Sequence, residues 1–232
     1  MGARDSTAKD TRETKLGLKI ASGLRDEIIA GQLEAGAPLR LATLAKRLGV
    51  STTPVREALT ILERQGLVFS QLNRGFRVAE ITPREIAAIY SVHAHMSELL
   101  AETATRRLSD EDLDELEALD DQMRAANASG DAALAGDLNH EFHRRINLKA
   151  GLPIVVRYLS ETTPFVVRRS DPDIPGWEEQ RTEGHHAILA AMRRRDSAAA
   201  GQIMGEHIRR SGDLARAFAE SRVSSNGATA SR

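Results

Sequence analysis

The chain has 232 residues and a mass of 25.3 kDa; 41% of its residues are hydrophobic, 28% are charged and only 3% are aromatic. This composition is typical of a globular, helix-rich protein and argues against a disordered or fibrous one. No apolar run reaches the length of a membrane span, and residues 1–14 lack the apolar centre of a signal peptide, so we expect a cytoplasmic protein. The absence of cysteine excludes disulfides, thiolate metal sites and a cysteine nucleophile.

The formal net charge of −1 hides an uneven distribution along the chain. Residues 1–80 contain 13 basic and 9 acidic residues, net +4, whereas residues 81–232 contain 19 and 24, net −5. Within 40–77, seven basic residues stand against two acidic ones. A basic module joined to an acidic one indicates that only the first meets a polyanion, although a solvated charged face has the same composition. We therefore expect two domains.

The first 80 residues predict a short series of helices followed by a β-hairpin. Glycines end the first two helices, and a turn containing Asn73 and Gly75, both suited to positive φ angles, joins two β-type runs. The predicted elements are a disordered polar tail over 1–14, helices over 15–31 and 41–48, a third helix beginning in STTP (51–54), and strands in LVFS (67–70) and FRVAE (76–80). This order is typical of a winged helix-turn-helix domain, predicted over 15–80.

The third predicted helix has one apolar and one polar side at about 100° per residue. The apolar side comprises Val55, Ala58, Leu59, Ile61 and Leu62. Pro54 suits the first turn, and Ser51 or Thr53 suits the N-cap. If the apolar side packs inward, Thr52, Thr53 and Arg56 face outward, where hydroxyls can contact phosphate and an arginine can reach guanine. A capped amphipathic helix with an arginine on its wet face fits the same pattern.

Residues outside the third helix complete the predicted DNA contacts. Arg40 precedes the second helix and Arg74 lies at the tip of the hairpin, where both can hold phosphates or a minor-groove edge. The adjacent glycine permits close approach to the DNA backbone. The full predicted set is Arg40, Ser51, Thr52, Thr53, Arg56, Arg74 and Gly75.

Residues 41–78 resemble the DNA-binding domain of the GntR family of bacterial transcription regulators. The run reads LATLAKRLGVSTTPVREALTILERQGLVFSQLNRGFRV and contains, in order, the motifs GVS-x-TPVREAL, LE-x-x-GLV and RGF-x-V. The resemblance implies that Arg56 reads a base and that Arg74 and Gly75 approach the groove. Thr52 stands where many members have a basic residue, so the half-site preference of common members does not carry over.

From Thr82 onward the sequence is helical to about residue 220. Thr82 is a predicted N-cap, with Pro83 at the first helical position and Glu85 at the third. The predicted helices span 83–108, 110–128, 131–149, 152–169, 177–195 and 198–220, and a disordered Ser-rich tail follows over 221–232. We expect an antiparallel helical bundle over 81–220.

All seven histidines lie beyond residue 81, and their helical positions separate them. Those that share a side with apolar residues are His93, His143 at the edge of its stripe, His185 and His207, each on a different helix. Asn139 precedes His143 by four residues, so the two share a face. Imidazole binds zinc, nickel, copper and iron, whereas core histidines satisfied by neighbours fit the pattern equally well.

The second module resembles the all-helical effector domain called FCD, of the FadR subgroup of the GntR family. The segments that carry the resemblance are NHEFHRRI (139–146), AGLP (150–153), HHAILAAM (185–192) and IMGEHI (203–208). Metal-binding members hold the ion through an Asp or Asn, the histidine of the FH pair and one histidine on each of the last two helices. The resemblance implies a divalent metal ion, zinc or nickel, bound by Asn139, His143, His185 and His207.

Three features of this resemblance concern the metal ligands and the effector. The family histidine lies four residues before the leucine of AIL, which selects His185 over His186. A neutral Asn139 leaves the ion more positive charge than an aspartate would, which favours an anionic effector. His93 stands where many members have an arginine, so we expect it near the effector.

The resemblance implies a ligand-responsive transcription repressor. It would be a homodimer that binds an inverted-repeat operator in double-stranded DNA and responds to a small organic acid. Two other classes fit the residues alone. A metal-dependent enzyme would use the histidines to activate water, but we predict no inward carboxylate beside them to act as a base. An architectural DNA-binding protein would use the bundle only for dimerisation.

Overall fold

The computed structural model describes residues 3–29, 31–71, 75–166 and 174–229. The chain forms two compact units, Met1–Ile81 and Thr82–Arg232. Helices make up most of both units, which confirms the predicted mostly helical fold. None of the described helices is long and apolar enough to cross a lipid bilayer.

Three helices form the core of the first unit: α1 (Ala3–Ile29), α2 (Leu41–Leu48) and α3 (Thr52–Arg64). Helix α2 has the predicted bounds and ends at Gly49, whose φ of 66° lies in the left-handed region that glycine adopts freely. Leu24 of α1 packs in the same core as the apolar side of α3, where Val55 and Leu59 are fully buried. The apolar face therefore holds α3 to the domain and leaves its other face in solvent.

A small antiparallel sheet follows these helices. Its strands are β1 (Pro38–Leu39), β2 (Val68–Gln71) and β3 (Gly75–Val78), in the order β1-β3-β2. The sequence predicts only the β2–β3 hairpin, in which Ser70 pairs with Phe76. Strand β1 was missed because two residues, one of them a proline, carry no alternating pattern; Leu39 pairs with Phe76 on the other edge. The wing is three-stranded.

The second unit is a bundle of six helices among the described residues. They are α4 (Pro83–Thr105), α5 (Asp110–Ala128), α6 (Ala132–Lys149), α7 (Pro153–Val166), α8 (Trp177–Arg193) and α9 (Ser197–Thr229). The predicted start of α4 is confirmed, because the Thr82 hydroxyl accepts from the Glu85 N–H at 3.2 Å while the Glu85 carboxylate accepts from the Thr82 N–H at 2.8 Å. Helix α5 begins with the same capping box, formed by Ser109 and Asp112.

Helices α4 and α9 pack against each other at short range because glycines of α9 face α4. A Cβ atom on Gly212 would lie 2.5 Å from the Tyr90 Cβ, and one on Gly201 would lie 2.9 Å from the Glu102 Cβ. Such distances are too short for carbon atoms, so larger side chains would push the two helices apart. The core of this unit is one hydrophobic cluster, whose fully buried members include Leu100, Phe142, Ile146, Ile188 and Met192.

The two ends of the chain differ from the prediction of disordered tails. Helix α1 already begins at Ala3, and α9 continues to Thr229. Residues 3–14 contain no glycine or proline, so a formed helix can extend along them one hydrogen bond at a time. The amphipathic pattern that predicts helices is missing from the sequence of both segments.

Candidate DNA-binding surface and candidate metal centre

The N-terminal turn of α3 exposes polar side chains on the surface of the first unit. Ser51 is the N-cap residue, with extended backbone and no side-chain capping hydrogen bond. Its side chain and those of Thr52, Thr53 and Arg56 are exposed. The predicted division of α3 is confirmed for the apolar side, except that Ile61 is only partly buried. The uncapped turn offers hydroxyls, backbone N–H groups and one guanidinium, which together suit phosphate and base edges.

Three predicted contacts lie outside α3. Arg40 is exposed at the N-cap position of α2, and Gly75 is exposed at the start of β3 with a φ of 82°. Arg74 and Asn73 lie outside the described residues. Arg77, counted among the basic residues of this module, has a structural role instead, because its guanidinium donates to Gln71 Oε1 at 3.0 Å and to the Gly36 carbonyl at 2.6 Å.

Three of the four inward histidines meet inside the second unit. His143, His185 and His207 each offer one ring nitrogen, and these nitrogens lie within 4.8 Å of one another. The Nε2 atoms of His143 and His185 are 3.3 Å apart. Two nitrogens that bind one tetrahedral zinc ion at 2.0–2.1 Å lie about 3.3 Å apart, so this spacing fits a shared ion.

His93, the fourth inward histidine, does not join the triad formed by His143, His185 and His207. Its Nδ1 lies 2.8 Å from the Thr162 hydroxyl, which donates its own hydrogen to the Leu159 carbonyl, so the histidine nitrogen is the donor. His93 lines the same cavity as His143 and His207. His95 and His186 are exposed, as predicted, and His140, also exposed, reaches the cavity rim.

Asn139 supplies the observation that best tests whether these residues fit a metal ion. It lines the cavity beside His143, and its side-chain Oδ1 is buried with no hydrogen-bond partner. A buried carbonyl oxygen without a partner costs free energy, and a cation bound by the neighbouring imidazoles removes that cost. Three imidazole nitrogens and one amide oxygen form a donor set that zinc or nickel accepts.

A buried carboxylate next to the triad was missed by the sequence analysis. Asp120 of α5 is 5% exposed, and its Oδ1 lies 3.2 Å from His185 Nδ1. The expectation of no inward carboxylate is therefore wrong. Helix α5 is so rich in acidic residues that its one buried aspartate did not stand out. The available signal was its position, because Asp120 continues the apolar stripe of Leu113 and Leu116. An ionised carboxylate can only accept a hydrogen bond, so Asp120 fixes the ring hydrogen of His185 on Nδ1. The Nε2 atom of His185 is then left without a hydrogen and is able to bind a metal ion.

Burial keeps the three imidazoles neutral. It lowers the pKa of His143 well below the ordinary value, and the neighbouring His185 and His207 lower it further. Burial also lowers the pKa of His207, to about 3, and that of His93, to about 4. For His185 burial lowers the pKa, although the Asp120 hydrogen bond acts in the opposite direction. Neutral imidazole is the form that binds metal ions.

Gly184, which the sequence analysis also missed, makes room for His207. A Cβ atom at this position of α8 would lie 2.1 Å from His207 Nδ1. Any other residue would displace the ring from the triad. A glycine in the middle of a helix, directly before a candidate ligand, was the available signal.

A winged helix-turn-helix unit joined to a helical unit with a polar cavity defines a class: DNA-binding regulators that carry a ligand-binding domain. The pattern of the family "Bacterial regulatory proteins, gntR family" matches residues 16–78, and that of the FCD domain matches residues 88–210, more than half of the chain. The chain belongs to the GntR family of transcription regulators, with an FCD domain.

Curated relatives and solved structures agree with this assignment. The chain is 25% identical to the HTH-type transcriptional regulator McbR of Escherichia coli over 199 residues, which cover 84% of this chain and 90% of that protein. It is 28% identical to the HTH-type transcriptional repressor GlaR of the same organism over 196 residues, which cover 80% and 89%. The structure of E. coli McbR/YncC has the same fold, with a TM-score of 0.68, 24% identity and coverage of 90% and 98%. The predicted regulator, rather than an enzyme, is confirmed.

Proposed function

We propose that this regulator is a repressor whose second unit binds a divalent metal ion and a small carboxylate effector. The observation that carries the proposal is the convergence of three neutral imidazoles, each with one ring nitrogen within 4.8 Å of the other two, beside a buried amide oxygen without a hydrogen-bond partner. Asn139, His143, His185 and His207 would hold the ion, zinc or nickel, which would supply positive charge for an anionic ligand.

The cavity beside the triad is the proposed effector site. It measures about 220 Å³, below the ~300–1,000 Å³ of typical drug-sized ligand sites, so it suits a small molecule. Apolar walls from Val156, Leu159 and Trp177 alternate with polar groups such as His93 and Ser97. This mixture suits a short organic acid with a carboxylate at one end and a hydrocarbon portion.

The first unit is proposed to bind an inverted-repeat operator through α3. Its exposed N-terminal turn would enter the major groove with Arg56 on a base, while Ser51, Thr52 and Thr53 would contact phosphates. Arg40, Arg74 and Gly75 remain proposed contacts from the rest of the domain. Two copies of α3 are needed for an inverted repeat, so we propose a homodimer, which sedimentation at several concentrations would test. The proposal includes a cytoplasmic location, where such DNA lies.

The dimer would have two conformations that differ in DNA affinity. The effector can shift the balance between them only by as much as its own affinities for the two conformations differ. Release of DNA on binding is the behaviour of a repressor relieved by its effector. A gel-shift titration with and without the bound acid measures this difference directly.

Elemental analysis of the purified protein tests the metal proposal. We expect one zinc or nickel ion per chain, loss of that ion to a chelator, and its return when the protein is reloaded. A thermal-shift screen of the loaded protein with short carboxylates then tests the effector. A protein that takes up no stoichiometric ion contradicts the metal site, and one that responds to no acid is an architectural DNA-binding protein with an inert bundle.

A further inference from the structure

Among the described residues two arginines line the cavity, and their surroundings differ. The guanidinium of Arg144 is paired with Glu141, through Nε–Oε2 at 2.6 Å and Nη2–Oε1 at 3.0 Å. Its side chain is 50% exposed. The charge of Arg144 is therefore already paired with a carboxylate, in a half-exposed position where solvent weakens any further interaction.

Arg181 of α8 is buried, with 8% of its surface exposed. Its Nη2 donates to Asn127 Oδ1 at 2.7 Å, and its Nε is buried with no hydrogen-bond partner. Asn127 is neutral, and its own Nδ2 also has no partner. Within the described part of the chain, no carboxylate lies at ion-pair distance from Arg181.

The nearest acidic groups do not neutralise this guanidinium by contact. Glu178 and Asp120 are close enough to raise the pKa of Arg181, but burial outweighs them and lowers it. Asp120 already contacts His185 and lies 3.4 Å from Arg124 Nε. Because arginine stays protonated in proteins, Arg181 is a buried cation that no carboxylate of the described residues contacts.

A buried cation without a counter-charge opposes folding unless something else compensates it. Arg181 is one helical turn before His185, so the guanidinium and the triad lie beside the same cavity. A guanidinium presents its N–H donors in a planar fork that suits the two oxygens of a carboxylate.

We propose that Arg181 binds the anionic group of the effector, and that the ligand is therefore recognised as a carboxylate by a protein cation as well as by any bound metal. This inference rests on the proposed effector site and names its charge-selecting residue. Asn127 accepts from Nη2 and so orients the guanidinium, but as a neutral amide it leaves the positive charge for the ligand. An uncharged molecule of the same shape would leave the buried cation uncompensated.

Isosteric pairs of probes test this selection. Butyrate and butyramide, and succinate and succinamide, differ in charge but hardly in shape, and each is titrated into metal-loaded protein by calorimetry. We expect the acids to bind and the amides to bind at least about tenfold more weakly. Arg181→Gln should weaken binding of the acids by roughly 10- to 100-fold, whereas Arg181→Lys, which keeps the charge but not the fork, should restore part of it.

Arg144→Gln is the matched control, because it removes the paired arginine from the same cavity and should change acid binding less than about threefold. Metal content is measured for every variant. A purely structural Arg181 would lower the melting temperature of ligand-free protein while leaving acid selectivity unchanged. Acids that bind wild type and Arg181→Gln equally overturn the inference alone. Acids that fail to bind the metal-loaded wild type overturn the proposed effector site, and the inference with it.

Discussion

The two units of the chain place their candidate ligand-binding residues in opposite environments. In the first unit Thr52, Thr53 and Arg56 lie on the surface of a helix whose other side is buried. In the second unit His185 and His207 are 0% and 5% exposed. Exposed polar side chains change the free energy of folding very little, so the residue types on this surface can be selected for DNA binding alone. Buried polar groups oppose folding, so each needs a partner within the protein or a ligand.

The difference in burial also explains how far each candidate site depends on other segments of its unit. The α3 residues need only a correctly started helix, which their local sequence supplies. The histidines of the second unit depend on contacts from other helices: a carboxylate from α5 and a glycine from α8. We therefore expect substitutions near the buried site to affect both stability and binding, and those on α3 to affect binding alone.

Replacement of His185 by alanine should have the largest effect, because it removes a central member of the buried triad. We expect metal affinity to fall by more than about 100-fold, beyond the 10- to 100-fold loss typical of outer-shell partners. The measurement is elemental analysis with a chelator competition titration, and circular dichroism checks the fold. The exposed neighbour His186 provides the control, since His186→Ala should leave one ion per chain. Equal metal content in both variants would place the ion elsewhere.

The steric dependence of the buried site is tested at Gly184. Gly184→Ala should destabilise the second unit by about 1–3 kcal/mol and weaken metal binding, because its Cβ would overlap the His207 ring. Gly136 of α6 has open space where a Cβ atom would lie, so Gly136→Ala should instead stabilise the helix by about 0.5–1 kcal/mol. Urea unfolding of both variants measures the two free energies. Equal shifts would show that Gly184 contributes only helix propensity.

At the surface site, Arg56→Ala should abolish the preference for operator over unrelated DNA. A base-reading arginine contributes about 1–3 kcal/mol of discrimination in each half-site, whereas the fold should change by less than about 0.5 kcal/mol. Gel shifts on a duplex selected with the wild-type protein, and on a scrambled duplex, measure the preference. Arg64, exposed at the other end of α3, gives the control variant Arg64→Ala. Unchanged specificity in Arg56→Ala would remove this residue from base reading.

The smallest effect is expected at Thr52, where a lysine would add one cation beside the DNA backbone. Thr52→Lys should steepen the dependence of log affinity on log salt by about one for each new phosphate contact, on specific and unrelated duplexes alike. Titrations at several salt concentrations measure this slope. An identical slope for the variant and the wild type would mean that position 52 does not approach DNA.

The sequence by itself predicted the features that depend on residues close together in the chain. The bounds of α2, the capping box at Thr82 and the inward sides of His93, His185 and His207 all follow from spacings of three or four residues. Helical periodicity is a local signal, so it shows which side of a helix is buried but not which helix lies opposite. Strand β1 was missed because its two residues are too few to show an alternating pattern, and its pairing partner β3 is far along the chain.

Only the tertiary structure decided which buried groups meet. The contact of Asp120 with His185 joins residues 65 apart in the sequence, and the exclusion of His93 from the triad depends on Thr162, 69 residues away. The burial of Arg181 beside the cavity depends likewise on α5, whose Asn127 accepts a hydrogen bond from its guanidinium across 54 residues of sequence. Such choices depend on how helices pack against one another, and that packing is set by the whole core rather than by any one segment.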